Sequence, residues 1–465
     1  MAAFAGLAAT VGLLAGIDPR IAIGVTLGLN FLLLAFVNLA AGLVAFVLLS
    51  FLEFVLPTGS ALSLIRVAGL ILTLAWLAKI ATGQRERVFF SDHPGATGVL
   101  AGFLVWGALS INWSESPTGT LLDLSRYLQM MALLVIAYSA IQTRRHVHWI
   151  AGTFLVGIVI TAVYGLAARP PIDPADLRIE STVGDANGVA AFLVVGLALA
   201  IAVALGRRRA PLTRLALISA VPLFLATFVY TGSRSGIVSL AVALVATVAF
   251  AGRWRMQAFA TALATGLIAV AVFVTFAPVG IKERISETTA GQATSAEGRV
   301  PLWEIAWRMF EDEPIRGVGL GSFQTTSVRY FLEPGVLVRS DEQLDEPEVA
   351  HNVFLQVLAE EGIVGEILFL GVLGFPLVCA LKAAGAFARR GDRELEILAR
   401  GLAVAIVAFY ASNTFNPGQF TKLLWVLMGL GPCLLALSRL SLHDPAEGAT
   451  NPRTDPRTTI RPASP

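Results

Sequence analysis

His351 is the residue of this chain whose type and position most favour chemistry. It opens segment 351–362, a polar stretch in a chain that is otherwise mostly apolar. An imidazole titrates near neutral pH, so a histidine at the edge of a membrane domain is a candidate general acid or base. The apolar spacing predicts a helix here, with one face formed by residues 351, 354, 355, 358 and 362. A helix packed along that face would hold His351 at the mouth of the helical core.

Arg234 is the second candidate, within the segment 231–236 (Thr-Gly-Ser-Arg-Ser-Gly) between two apolar stretches. An arginine with so little loop around it must be partly buried, and a buried guanidinium usually meets an anion or a carboxylate. The flanking glycines and serines would let backbone N–H groups approach a phosphate. The pattern therefore indicates an oxyanion clamp, with an internal salt bridge as the alternative. Arg126, which begins an apolar stretch, is a weaker case of the same kind, and Arg178 and Arg299 lie in polar loops.

Other polar groups favour structural roles. Asp185 or Asn187 could cap the apolar helix that follows, or line a cavity at its end. The adjacent Glu360 and Glu361 most resemble a solvated face. The run Gly317-x-Gly319-x-Gly321 lacks the spacing and the preceding strand of a nucleotide loop, so it predicts a tight turn. No carboxylate, histidine or cysteine spacing indicates a metal site, and the acidic stretch 341–348 is typical of a flexible surface segment.

The composition identifies the elements that must position these residues. Hydrophobic residues make up 56% of the chain and charged residues 14%, against about 25% charged in soluble domains. The chain is therefore predicted to be an all-α polytopic membrane protein. Its formal net charge of +2 does not favour nucleic acid as a partner. Cys379 and Cys433 lie in apolar segments and are expected to be small buried hydrophobes, with no disulfide.

A membrane helix needs about 20 apolar residues. The N-terminal segment lacks a basic region and a cleavage site, so it is interpreted as a first helix and not as a signal peptide. The sequence gives about fourteen candidate spans, or twelve to thirteen if the weakly divided first three merge. They are 3–17, 20–37, 38–56, 63–82, 95–111, 121–141, 148–168, 187–206, 213–231, 235–251, 257–279, 363–384, 397–414 and 420–440.

The basic residues predict the orientation of these spans. Clusters of lysine and arginine fall in five alternate loops, which the positive-inside rule assigns to the cytoplasm. His351 is then the only one of five histidines on the outer side. The predicted organisation is an N-terminal bundle (1–279), a large outer loop with helices at 300–312 and 349–361 (280–362), C-terminal spans (363–440) and a disordered cytoplasmic tail (441–465).

The order of these motifs resembles the O-antigen ligase and polymerase superfamily of bacterial inner-membrane glycosyltransferases. The resemblance covers about residues 60–440 and is closest over 180–370. The residues that support it are Gly184-x-x-Asn187, Gly232-Ser233-Arg234, Arg299 with Trp303 and Trp307, Pro314-x-x-Gly317-x-Gly319-x-Gly321, and His351-Asn352-x-Phe354-Leu355 ending in Glu360-x-Gly362. One departure is Gly-Asp-Ala-Asn at 184–187, where many members have a proline before the asparagine.

The resemblance implies a GT-C-like helical fold in the inner membrane and a large periplasmic loop. It implies transfer of a glycan from undecaprenyl diphosphate to a periplasmic acceptor, inverting and without cofactor, nucleotide or metal. The essential histidine and arginine of the family correspond to His351 and Arg234. The predicted contacts to the lipid diphosphate or glycan are Arg126, Arg178, Asn187, Arg299, Asn352 and Glu360.

Several functions share these motifs. An O-antigen ligase with lipid A-core as acceptor is preferred. A polymerase acting on O-antigen or exopolysaccharide, and a protein O-oligosaccharyltransferase, are the alternatives within the enzyme class. A polysaccharide transporter or flippase, or a structural membrane protein, is the alternative from another class. Transporters usually have repeated halves with polar residues at the midplane, whereas the polar residues here gather at helix ends and in one loop.

Overall fold

The computed structural model describes residues 19–53, 64–83, 87–168, 179, 185–206, 210–289, 299–331 and 348–440. These residues form α-helices and short turns. The helices are α1 (Pro19–Val37), α2 (Leu39–Phe51), α3 (Leu64–Ala81), α4 (Phe89–Asp92), α5 (Pro94–Leu109), α6 (Pro117–Ala140), α7 (Arg144–Ala167), α8 (Ala186–Gly206), α9 (Pro211–Thr231), α10 (Arg234–Ala249), α11 (Arg255–Phe276), α12 (Val279–Thr289), α13 (Arg299–Asp312), α14 (Phe323–Phe331), α15 (Val353–Arg389), α16 (Arg393–Asn413) and α17 (Lys422–Leu440).

The predicted membrane fold is confirmed. Within the described ranges, ten helices are long and apolar enough to cross a membrane, and three shorter apolar segments lie at Gly24–Val37, Leu39–Phe51 and Arg234–Ala249. Thirteen of the predicted spans coincide with helices, including those on either side of Asn38, whose side chain caps α2. The predicted span 3–17 and the predicted tail 441–465 lie outside the described residues.

Helices α8, α16 and α17 form the interior of the bundle, and α8 packs most extensively against α16 and α9. The residues of α8 are small or apolar and are buried on every side of the helix, as expected of a helix with no lipid-facing or solvent-facing stripe. In contrast, α11 leaves most of its surface uncovered. At the head of α8, Ala186 is buried and Asp185 is exposed.

Three basic loops meet at one end of the bundle, in agreement with the alternation used to predict the orientation. Arg144 contacts Asp392, and Arg253 contacts Glu396. Arg400 also contacts Glu396, with 3.0 Å between guanidinium and carboxylate. We call this the basic end. The heads of α8, α10 and α15 lie at the opposite end of their helices.

The segment between α11 and α15 has a small core of its own. Helix α13 confirms the helix predicted at 300–312 and buries the face predicted there. Its apolar residues pack with those of α14 and of the first turns of α15. The cluster consists of Leu302, Ile305, Ala306, Met309, Val318, Phe323, Tyr330, Phe331, Ala350 and Ala359.

Helix α15 is broken at Gly362, which has φ 64° and ψ −168°. The break frees backbone groups of α15 to pair with the glycine-rich turn that follows α13. Val318 N–H donates to the Ala359 carbonyl at 3.0 Å, and Gly319 N–H donates to the Glu360 carbonyl at 2.8 Å. The predicted turn at 317–321 is therefore the structure that clasps the outer part of α15. The outer helix and the membrane span that follows it form one bent helix, α15. The separate helix predicted at 349–361 corresponds to the part of α15 before the bend.

Replacing Gly362 with alanine should destabilise the protein by about 2 kcal/mol or more. Its backbone lies in a region that only glycine adopts readily, and a Cβ atom would lie 2.3 Å from the Ile315 carbonyl oxygen. Gly374→Ala in the same helix is the matched control, because a Cβ atom there meets nothing within 4 Å. Thermal unfolding in detergent measures both changes. Equal melting temperatures for the two variants would contradict the clasp.

The helical face predicted from residues 351, 354, 355, 358 and 362 is wrong. His351 precedes the helix, and Gly362 is non-helical. The buried face at the start of α15 instead carries Val353, Gln356, Val357 and Glu360. The prediction failed because it extended a regular helix through both of its ends.

Candidate active site at the converging helix ends

His351 is held in an unusual backbone conformation just before α15. Its φ is +49°, the only positive value among the non-glycine residues that the structure describes. Trp303 of α13 donates from its indole Nε1 to the Ala350 carbonyl at 3.1 Å, which ties this segment to α13. The imidazole is 29% exposed, and its Nε2 lies 3.3 Å from a Glu348 carboxylate oxygen. A strained, partly exposed imidazole oriented by a carboxylate is an arrangement typical of functional sites.

The surroundings of His351 keep its imidazole neutral at physiological pH. Burial lowers its pKa from the usual range, and the Arg299 guanidinium lowers it further. Glu348 and Asp185 act in the opposite direction without reversing the shift. A neutral imidazole has a free lone pair, so His351 can accept a proton at pH 7.

Arg234 begins α10 at the same end of the bundle. Ser233 caps the helix by accepting from Gly236 N–H at 3.0 Å, and Ser233 Oγ donates to Asn187 Oδ1 at 2.8 Å. The side chain of Arg234 is half-buried, and its Nε is shielded from solvent. The prediction that this arginine is partly buried is confirmed.

The head of α8 lies between His351 and Arg234. Asp185 caps α8 by accepting from Gly188 N–H at 2.7 Å, and its charge acts on His351. Two residues further on, Asn187 accepts from Ser233, the neighbour of Arg234. Asp185, one of the two residues predicted to cap this helix, is thus the cap, and Asn187 connects α8 to α10.

Four helix amino ends therefore gather in this region: α8, α10, α13 and α15, beginning at Ala186, Arg234, Arg299 and Val353. Each amino end carries a partial positive charge, and the N–H groups of its first turn have no partner within the helix. Arg234 and Arg299 add two full charges at the same ends. The region is accordingly suited to an anion, and phosphate groups bind at helix amino ends for this reason.

The loop that joins α16 to α17 is a part of this region that sequence reasoning missed. Asn416 donates from Nδ2 to Ser412 Oγ at 3.0 Å and to Ser235 Oγ at 3.4 Å. Phe415 packs on Trp303 with 5.9 Å between ring centroids. The loop therefore joins the Arg234 side to the His351 side. The Asn-Pro-Gly-Gln turn at 416–419, between two apolar spans, is the sequence signal from which this loop could have been predicted.

Arg126 lies elsewhere, and the expectation that it begins a span is wrong. Helix α6 begins at Pro117, so Arg126 is nine residues, or about 14 Å, along the helix. Its side chain is 55% exposed and pairs with Asp123 at 2.9 Å. It also lies over the Phe420 ring, 5.4 Å from the centroid. Through Phe420, Arg126 contacts the loop between α16 and α17.

Two of the predicted glycan contacts, Asn352 and Glu360, make hydrogen bonds within the protein. Asn352 caps α15, where its Oδ1 accepts from Phe354 N–H at 3.1 Å and Leu355 N–H at 3.2 Å. Glu360 is 3% exposed and accepts from the Gly321 and Phe323 N–H groups at 3.0 and 3.2 Å. The interpretation of Glu360 and Glu361 as a solvated face is wrong, because both side chains are buried. The remaining predicted contact, Arg178, lies outside the described residues.

A family model described as O-antigen ligase matches residues 219–370. The match covers about a third of the chain, from the second half of α9 to the middle of α15. The matched segment includes Arg234, Arg299 and His351. It begins after Arg126 and Asn187 and therefore does not include them. No curated protein matches the chain.

Proposed function

We propose that the chain acts as a member of the O-antigen ligase and polymerase superfamily and transfers a glycan from an undecaprenyl-diphosphate carrier to lipid A-core. The observation that supports this most strongly is the head of α8, where Asp185 acts on His351 and Asn187 bonds to the serine beside Arg234. A candidate base and a candidate anion contact thus flank one region rich in helix amino ends. Both residues lie within the matched segment.

The diphosphate of the donor is proposed to lie against the amino end of α10. Arg234 would neutralise the charge that develops on the leaving diphosphate, and the N–H groups of the helix end would bind its oxygens. Arg299 is proposed to supply a second positive charge, because its effect on the pKa of His351 indicates that it lies close to the same region. Arg126 would contribute only at the margin, beside Phe420.

His351 is proposed as the general base. It would take the proton of the acceptor hydroxyl while the hydroxyl oxygen bonds to the anomeric carbon. The bond from that carbon to the diphosphate oxygen breaks in the same displacement, so the configuration inverts. Glu348 and Asp185 would stabilise the imidazolium that forms, as carboxylates beside a catalytic histidine do. Glu360 and Asn352 are positioning residues in this mechanism.

An apolar groove of about 230 Å³ supports a lipid-linked donor. It runs between α9, α10, α11 and α12 and reaches Gly232 and Ser233, next to Arg234. Its walls are formed by Phe228, Val229, Ile237, Phe273 and Ile285. Part of an isoprenoid tail in this groove would bring the attached diphosphate to the head of α10. The positive-inside rule, applied to the basic end, supports a site that faces the periplasm. A GT-C-like arrangement in the inner membrane is proposed because the resemblance to the superfamily implies it.

The acceptor is tested by deleting the gene and running lipopolysaccharide and exopolysaccharide on a gel. We expect loss of all capped core, with accumulation of the lipid-linked polymer. Loss of long chains with the single-repeat form retained would instead make the protein a polymerase. An unchanged lipopolysaccharide with a missing protein glycan would make it a protein O-oligosaccharyltransferase.

The pH dependence of transfer should follow His351. Because its pKa is lowered, the imidazole is neutral at pH 7, and activity should fall only when the pH drops below that pKa. Arg299→Gln removes a cation that lowers this pKa, so the acid limb should move to higher pH. Arg308→Gln is the matched control on α13, since Arg308 pairs with Glu304 at 2.7 Å. Initial transfer rates across pH measure the shift, and coincident acid limbs would contradict the role of His351 as base.

A further inference from the structure

A cleft at the basic end of the bundle is distinct from the candidate active site. The last turns of α15 and α17 enclose it, with a volume of about 830 Å³. In the described lining, every charged side chain is basic: Lys382, Arg389 and Arg390 near the end of α15, and Arg439 on α17. Its other walls are Leu381, Gly385, Ala386, Leu435 and Ser438.

The absence of a carboxylate from the described lining distinguishes this cleft from the rest of the basic end. Elsewhere at that end, Asp392 contacts Arg144, and Glu396 contacts both Arg253 and Arg400. Those contacts balance charge within the protein. The cleft instead gathers positive charge on two helices that are not consecutive in the chain. Such a gathering favours an anion from outside the protein.

The shape of the cleft suits a headgroup between two helices. Lys382, Arg389 and Arg439 are exposed, while the small residues Gly385 and Ala386 form the floor. Arg389 folds back over this floor, with its Nη1 3.6 Å from where a Cβ atom on Gly385 would lie. Exposed apolar residues continue along α15 toward the middle of the bundle, at Val378, Leu370 and Ile367. The cleft thus suits a polar headgroup, and the adjoining surface of α15 suits the apolar part of the same amphipathic ligand.

We propose that this cleft binds an anionic phospholipid of the cytoplasmic leaflet. Its phosphate would lie among Lys382, Arg389 and Arg439, and its acyl chains would follow the apolar surface of α15. Basic pockets between membrane helices at the cytoplasmic surface attract anionic headgroups in this way. The proposal is independent of glycan transfer, because the cleft shares no residue with the candidate active site.

Native mass spectrometry of the purified full-length protein tests the proposal. The protein is titrated with phosphatidylglycerol and with phosphatidylcholine of the same acyl chains. The unaltered protein should retain phosphatidylglycerol in preference. A variant with Lys382→Gln, Arg389→Gln and Arg439→Gln should lower that preference about tenfold or more. No preference in the unaltered protein, or full preference in the variant, would overturn the proposal.

The matched control removes the same charge from the ends of other helices, through Lys79→Gln, Arg145→Gln and Arg255→Gln. It should keep the preference, whereas an equal loss in both variants would mean general surface electrostatics and overturn the site. Inorganic phosphate should not displace the lipid; retention of phosphate in its place would also overturn the lipid assignment. A C-terminal reporter checks the orientation of both variants. If the triple variant is misinserted, Arg439→Gln alone should show a smaller loss in the same direction.

Discussion

A His351→Ala variant should reach the membrane in normal amounts and lose glycan transfer by about 10²–10⁴-fold, the usual contribution of a general base. Alanine removes the imidazole that takes the acceptor proton in the proposed mechanism. The fold should persist, because Asn352 still caps α15 and Trp303 still donates to the Ala350 carbonyl. Transfer of a lipid-linked glycan to lipid A-core by purified protein, with the melting temperature in detergent, measures both effects.

His148→Ala is the matched control for this prediction. His148 is also partly exposed and also lies beside a glutamate, with 3.3 Å between its Nε2 and Glu394. It belongs to the basic end, near Asp392 and Glu396, so its loss should leave transfer unchanged. Activity of His351→Ala equal to that of His148→Ala would remove His351 from the mechanism. Inactivity with a lower melting temperature would indicate that the histidine supports the fold only.

An Arg234→Lys variant should be almost as inactive as Arg234→Ala, with a loss of about 10²–10³-fold in transfer. Lysine keeps the charge but presents a single ammonium group, which cannot hold two phosphate oxygens in one plane. The serine network beside it does not depend on the guanidinium, since Ser233 bonds to Asn187 and caps α10. The fold should therefore remain intact, and turnover at saturating donor should fall.

Arg316→Lys is the control, because Arg316 is exposed and its guanidinium binds both oxygens of Glu313. It tests the same chemical change outside the site, and transfer should be unaffected. Retention of most activity in Arg234→Lys would mean that charge alone is required and that the forked contact is not made. Restored activity at high donor concentration would assign Arg234 to donor binding and not to the leaving group.

Local sequence was enough to predict the membrane fold. A helix must satisfy its own backbone hydrogen bonds in lipid, so a run of apolar residues specifies a span without knowledge of its neighbours. Thirteen predicted spans accordingly coincide with helices, and the helix at 300–312 was found from its periodicity. The burial of a single residue could also be predicted from the sequence, because an arginine between two apolar stretches must be partly buried wherever the helices pack.

The tertiary structure alone decided which of these residues act together. Asn187 and Ser233 are 46 residues apart in the chain, and Asn416 and Ser235 are 181 apart, so no local pattern could pair them. Glu360 was mistaken for a solvated residue because its partners, the N–H groups of Gly321 and Phe323, belong to a turn that folds back onto α15. Sequence thus determined the membrane helices and nominated His351 and Arg234. Packing determined the convergence of helix ends between them, because that convergence depends on contacts between distant segments.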